Sequence, residues 1–196
     1  MVNICWTFSA TRTGHSSEQA TGDKALSGKA LSDKAMKVET TKLPGVVIIE
    51  PQVFGDDRGF FLESYHEARY RNEAGITEKF VQDNHSRSSR GVLRGLHFQI
   101  EHPQGKLVSV SQGEVFDVAV DIDPDSPTFK QWVGVNLSGS NHLQFYVPPG
   151  YAHGFVVLSE VADFQYKCTD FYYPEDQGEA LWCDPEIGID WPIVNP

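Results

Sequence analysis

Glu114-Val115-Phe116-Asp117-Val118-Ala119-Val120-Asp121-Ile122-Asp123 alternates apolar and polar residues with period two, the pattern of a β-strand. Successive strand side chains point to opposite faces. Phe116, Val118, Val120 and Ile122 therefore share one face, and Asp117, Ala119, Asp121 and Asp123 share the other. The second face must be wet or functional.

On either side of this strand lie short β-rich runs separated by turn residues. They are Val46 to Glu50, Gly59 to Glu63, Val92 to Gln99, Lys106 to Ser111, Gln131 to Leu137, Leu143 to Val147, Gly154 to Leu158 and Ala162 to Thr169. Strands at this spacing indicate an all-β sandwich or barrel. One segment reads as helix: Ser64 as N-cap, Tyr65 to Ala74 with Glu67 in the first turn, and Gly75 as the stop. The expected fold is an all-β, cupin-like jelly-roll β-barrel with one short helix, whose mouth is a natural ligand cavity.

Residues 1–42 have a different texture, rich in Ser, Thr, Gly and Lys, with Lys-Ala-Leu-Ser at 24–27 and again at 29–32. A period of five gives no continuous apolar stripe, so this segment reads as a flexible leader, with the folded domain expected over 43–196. The leader is net +2, which leaves −13 for the rest of a chain whose net charge is −11. Such acidity argues against nucleic-acid and anionic-membrane partners, and any anionic ligand must meet local cations. Cys5, Cys168 and Cys183 are odd in number and irregularly spaced, which suggests neither a disulfide framework nor a zinc or redox motif. With no signal-peptide pattern and no apolar run of roughly 18 to 20 residues, the expectation is a soluble cytoplasmic protein.

Five segments concentrate chemistry. Leu93-Arg94-Gly95-Leu96-His97-Phe98-Gln99 sets a cation and an imidazole three apart, on opposite faces by strand parity unless Gly95 makes a bulge. Pro148-Pro149-Gly150-Tyr151-Ala152-His153-Gly154-Phe155 aims a histidine from a turn into a strand. It resembles the second half of the cupin metal motif. The first half normally reads His-x-His, and here it is His97-Phe98-Gln99, which would leave His97, His153 and Glu101 as an imaginable three-ligand set. Asp57-Arg58-Gly59-Phe60-Phe61-Leu62-Glu63 and Gln82-Asp83-Asn84-His85-Ser86 put polar groups beside aromatics, as sugar and phosphate recognition requires. Gln104-Gly105-Lys106 adds a cation at a strand start, and Tyr166-Lys167-Cys168-Thr169-Asp170-Phe171-Tyr172-Tyr173 adds a phenol and an aromatic run.

In this order, and with Trp182, Asp184-Pro185, Ile187-Gly188-Ile189 and Trp191-Pro192 after them, these segments resemble the dTDP-4-dehydrorhamnose 3,5-epimerase family from about Gly45 to Pro192. The resemblance implies epimerisation at C3 and C5 of a dTDP-4-keto-6-deoxy sugar by proton abstraction, with no cofactor and no metal, in a homodimer. It implies His97 as general base, Tyr166 as general acid and Lys106 as the cation that holds the enolate oxygen. Arg58, Glu63, Gln82, Asp83, Asn84, Arg94 and His153 fall in the segments that hold the nucleotide sugar, and Tyr172 on the position that stacks on thymine. The family's Lys-Asp segment beyond the Trp-Pro landmark, whose carboxylate orients the base, has no counterpart before Pro196. Asp117 is the expected substitute, and Gln177 stands nearest to a substrate-contacting Glu of the family. Two other readings remain open at this stage: a silent sugar-nucleotide binder and a one-centre 3-epimerase.

Overall fold

A computed structural model describes residues 36–193. The 1–35 part of the expected leader lies outside the described residues. Within the rest of it, β1 (Lys37–Thr40) pairs antiparallel with β2 (Val47–Glu50). The folded region therefore reaches back past residue 43, because Met36 and Val38 pack against a core that the strand pairing brings within reach. Four residues with one strong β-former carry too little pattern to reveal this in sequence.

A hairpin of β3 (Val53–Asp56) and β4 (Gly59–Leu62) forms a separate two-stranded sheet, followed by α1 (Glu67–Ala74). The helix begins later than expected. His66 is the N-cap, its Nδ1 accepting from the Arg69 N–H at 3.3 Å, while the Ser64 carbonyl accepts from Tyr70 Oη and Gln144 Nε2. Gly75 closes it in the left-handed conformation as predicted.

The remaining strands are β5 (Gln82–Ser89), β6 (Leu93–Gln99), β7 (Lys106–Gln112), β8 (Glu114–Asp121), β9 (Trp132–Ser138), β10 (Gln144–Val147), β11 (Tyr151–Val157), β12 (Val161–Cys168) and β13 (Gln177–Glu179). They build a six-stranded sheet, β1-β2-β10-β7-β12-β5, and a five-stranded sheet, β13-β6-β11-β8-β9. The two face each other as a jelly roll instead of forming one continuous ring. Between them lies the main core, with Val108, Val110, Phe145 and Phe164 from one sheet and Val115, Ala119, Leu137 and Phe155 from the other. The outer face of the first sheet is covered by Tyr70, Ile76 and Phe80 around α1. The outer face of the second is covered by Ile187, Ile189 and Trp191 of the C-terminal segment, which pack over Leu96, Val118, Val120 and Phe116.

β8 thus has its apolar stripe under the C-terminal segment and turns Asp117, fully buried, toward the space between the sheets. At Asp117 and Asp121 the polar face of the opening alternation is buried, not wet. β5 was not anticipated as a strand. Its residues are polar throughout because one face lines a cleft and the other meets solvent, leaving no apolar period to detect.

β1 gives a stability prediction. A chain beginning at residue 43 should melt about 5 °C below one beginning at residue 36, since losing the partly buried Met36 and Val38 contacts costs on the order of 2 kcal/mol. Equal melting temperatures by calorimetry would show that β1 adds nothing to the folded unit.

Candidate active site

A cleft of about 310 Å³ opens between the sheets at one end. β5 contributes Gln82, Asn84 and Ser86, the inward half of a strict alternation. Asp83 points the other way and pairs with Lys167 at 2.9 Å on the outer face, so parity removes it from the group around the cleft. β6 contributes Arg94, His97 and Gln99. Arg94 and His97 share the cleft because β6 carries an extra residue there: His153 pairs with His97 and Phe155 with Arg94. Gly95 makes this possible. Its φ is +136°, and a Cβ would meet Gly154 Cα at 2.5 Å, so two glycine backbones touch where side chains could not.

His153 sits directly across from His97. Its Nε2 lies 2.8 Å from Asp117 Oδ1, in a contact where both groups are almost wholly buried. Asp117 is therefore the carboxylate of His153, and the expected pairing with His97 is not formed. Burial pushes the Asp117 carboxyl above its ordinary value, and His153 and Lys106 oppose that rise. The carboxylate beside His97 is Glu179 of β13, Oε1 to Nε2 3.4 Å. Burial lowers the His97 pKa, Glu179 opposes the fall, and Lys106, His153 and Arg94 add to it. His97 is thus a neutral imidazole at cellular pH, ready to take a proton.

Lys106 enters from β7, its pKa lowered by burial against the opposing pull of Cys168 and Asp117. Tyr166 enters from β12, with its phenol raised by burial and so fully protonated near neutrality. Neither the Lys106 ammonium nor the Tyr166 hydroxyl hydrogen-bonds to any of the described residues. Phe155 and Phe164, stacked at 4.1 Å, floor the cleft beside His153 and Tyr166. Phe164 was not singled out by sequence, since an aromatic inside a strand carries no sign distinguishing floor from core.

The aromatic loop after β12 closes one wall. Tyr172 lines the cleft, its backbone N–H donating to Gln82 Oε1 at 3.1 Å. Gln99 is the larger fastener. It is buried, and its Nε2 donates to the carbonyls of His102 and Phe171 while its Oε1 accepts from Tyr173 N–H. In the metal reading, position 99 is where a second histidine would stand. Here its amide is spent on the loop, and Glu101 is absent from the cleft lining. Among the described residues no three His, Cys, Asp or Glu side chains converge as a metal would need. Gln99→Leu strands a part-buried N–H and two carbonyls, so affinity for a ligand of this cleft, probed with dTDP, should fall about ten-fold as the tyrosine loop loosens. Titration calorimetry showing wild-type affinity would mean other contacts suffice.

Arg58 and Glu63 are not in this cleft. Arg58, 89% exposed, pairs with Asp56 on the β3 to β4 hairpin, and Glu63 pairs with Arg69 at 2.7 Å. Phe60 and Phe61 beside them are 61% and 68% exposed.

Fold and cleft together define a cupin-like jelly-roll protein furnished for acid–base chemistry on an anionic ligand. The family model described as dTDP-4-dehydrorhamnose 3,5-epimerase matches residues 40–196. A dTDP-4-dehydrorhamnose 3,5-epimerase of Pseudomonas aeruginosa is 58% identical over 160 residues, 82% of this chain and 88% of that protein. The crystal structure of the Legionella pneumophila dTDP-6-deoxy-D-glucose-3,5-epimerase, in complex with dTDP-4-keto-L-rhamnose, superposes with a TM-score of 0.80 at 58% identity, covering 81% of this chain and 85% of that one. A 3'-monoepimerase from Streptomyces bikiniensis, solved with dTDP-quinovose, gives a TM-score of 0.73 at 30% identity, covering 78% and 77%. The chain belongs to the dTDP-4-dehydrorhamnose 3,5-epimerase family.

Proposed function

We propose that this cleft epimerises C3 and C5 of dTDP-4-dehydro-6-deoxy-D-glucose, giving dTDP-4-dehydro-L-rhamnose for rhamnose biosynthesis. The observation that carries the reading is that a neutral imidazole, an ammonium and a phenol, the last two on partly buried side chains, line one cleft, the latter two with no hydrogen bond to any of the described residues. Polar groups held in that state are prepared for a ligand. A proton α to the 4-keto group leaves readily only if the enolate oxygen is stabilised. Lys106 supplies that charge in a water-poor site, where it counts for more than in solvent. His97 takes the proton, and Tyr166 returns one to the opposite face, which inverts the centre. Repeating the cycle at the other carbon next to the keto group needs no new machinery. Gln82, Asn84, Arg94 and His153 hold the nucleotide sugar, and Tyr172 stacks on the base.

The same reading assigns a homodimer. The hairpin carries an exposed cation and two phenylalanines that are largely exposed among the described residues, and a second copy would cover the rings and bring Arg58 toward a diphosphate. Glu63 would follow the same route. Among the described residues no helix is long and apolar enough to cross a membrane, consistent with a cytoplasmic setting.

Incubation with dTDP-4-keto-6-deoxyglucose in deuterated water tests the assignment. Deuterium at both C3 and C5 is the expected result. Label at C3 alone would make this a one-centre enzyme, and label at neither would make it a binder.

A further inference from the structure

β13 is only three residues long, yet its register is tightly set. Gly178 lies opposite Phe98, whose ring would be 2.4 Å from a Cβ at that position, so no other residue lets the ring lie across the strand. Beyond the strand, Leu96 and Ala180 exchange both backbone hydrogen bonds, at 3.3 and 2.9 Å. With the register pinned, Gln177 falls opposite Gln99 and Glu179 opposite His97. Residues directly opposite in an antiparallel pair share a face, here the face of the cleft.

Three side chains then connect across the cleft wall. Tyr172 Oη donates to Gln177 Oε1 at 2.9 Å, Gln177 Nε2 donates to Glu179 Oε1 at 2.9 Å, and that same oxygen is the one beside His97 Nε2. A carboxylate only accepts, so it fixes which end of the Gln177 amide faces it and leaves the carbonyl for the phenol. We propose that Glu179 is a positioning residue for His97, held toward the imidazole by Gln177 and Tyr172. The proposal rests on the reading of His97 as the base of this cleft.

A carboxylate beside Nε2 stabilises the imidazolium that forms when His97 takes a proton. The other charged groups around His97 act against that imidazolium: Lys106 from β7, His153 from β11 and Arg94 from its own strand. Asp117 is engaged with His153. Glu179 supplies the opposing negative charge. Because Glu179 is 65% exposed and His97 40%, solvent screens the contact and its effect is moderate. The chain also links the two ends of the ligand, since a base stacked on Tyr172 sits at the start of the connection that ends on the sugar's proton acceptor.

The test pairs an NMR titration of the His97 imidazole in the free protein with the pH profile of kcat/KM for deuterium incorporation. In Glu179→Gln the His97 pKa should fall by about half a unit, and the acid limb of the profile should move to lower pH by the same amount. The plateau should drop about five-fold. Gln177→Leu, which keeps the carboxylate but releases it, should shift both in the same direction by less. A His97 titration and acid limb that match wild type in Glu179→Gln overturn the proposal. So does a lower rate with an unmoved titration, which would mean that Glu179 acts on the ligand directly. A wild-type protein that incorporates no deuterium while the NMR shift is present overturns the epimerase reading and leaves the Glu179 to His97 contact standing.

Discussion

His97→Asn is expected to cut deuterium incorporation from solvent at both C3 and C5 by about three orders of magnitude, the scale of a lost general base. Asparagine keeps a polar, smaller side chain opposite His153 but cannot accept a proton near neutrality. Nucleotide affinity should stay within a few-fold, because the groups proposed to hold the nucleotide are elsewhere in the cleft: Tyr172 on its loop, Gln82 and Asn84 on β5, and Arg94, whose Nε is steadied by Ser88 Oγ at 3.0 Å. The pH dependence of the unmodified protein follows from the same residue. A base works in its neutral form, and burial lowers the His97 pKa below the imidazole value of about 6.5. Activity should therefore persist as pH falls through 6.5 and fail only below it, as His97 becomes protonated. If His97→Asn retained exchange above a tenth of wild type, the base would be another group, and the buried His153 and Asp117 pair would be the first to examine. A parallel collapse of dTDP binding would instead make His97 structural.

Much of this site was legible because its residues sit in short segments whose chemistry is local. The strand at 114–121 showed one apolar face by alternation alone, and the cleft residues of β6, β7, β11 and β12 fell in motifs whose order matched a family. What escaped is what depends on register. Asp83 looked equivalent to its neighbours until the pairing of β5 with β12 turned it outward onto Lys167. Asp117 was expected to serve His97 and instead pairs with His153, since nothing in sequence says which residue of β11 will oppose which residue of β8. Arg94 and His97 reach the same face only through the bulge at Gly95, which parity left open. Glu179 was invisible: a charged residue in a three-residue strand carries no periodicity, and its place beside His97 is decided by Gly178 and Phe98. Arg58 and Glu63 lie on a hairpin outside the cleft of a single chain, and no reading of one sequence distinguishes a residue that serves its own cleft from one offered to a neighbour.

Tyr166→Phe should separate two events that the unmodified protein couples. The Tyr166 hydroxyl makes no hydrogen bond with the described residues, and the ring packs against Phe164 at 5.8 Å, so phenylalanine preserves the packing and should change stability by no more than about 0.5 kcal/mol. What is lost is the proposed donor on the face across from His97. Inversion should fall roughly a hundred-fold or more. Abstraction remains possible, since His97 can still take the proton and Lys106 can still hold the enolate. With no acid opposite, the enolate recovers its proton from the imidazolium on the original face. His97 is 40% exposed, so that proton can first trade with solvent, and deuterium then appears without inversion. The measurement is the ratio of label to inverted product, by mass spectrometry and proton NMR on the same sample. Wild type should give about one deuterium per inverted centre, as the α-proton chemistry requires, and Tyr166→Phe well above that. Equal loss of label and inversion would show that Tyr166 is needed for abstraction itself, and its assignment as the acid alone would fall.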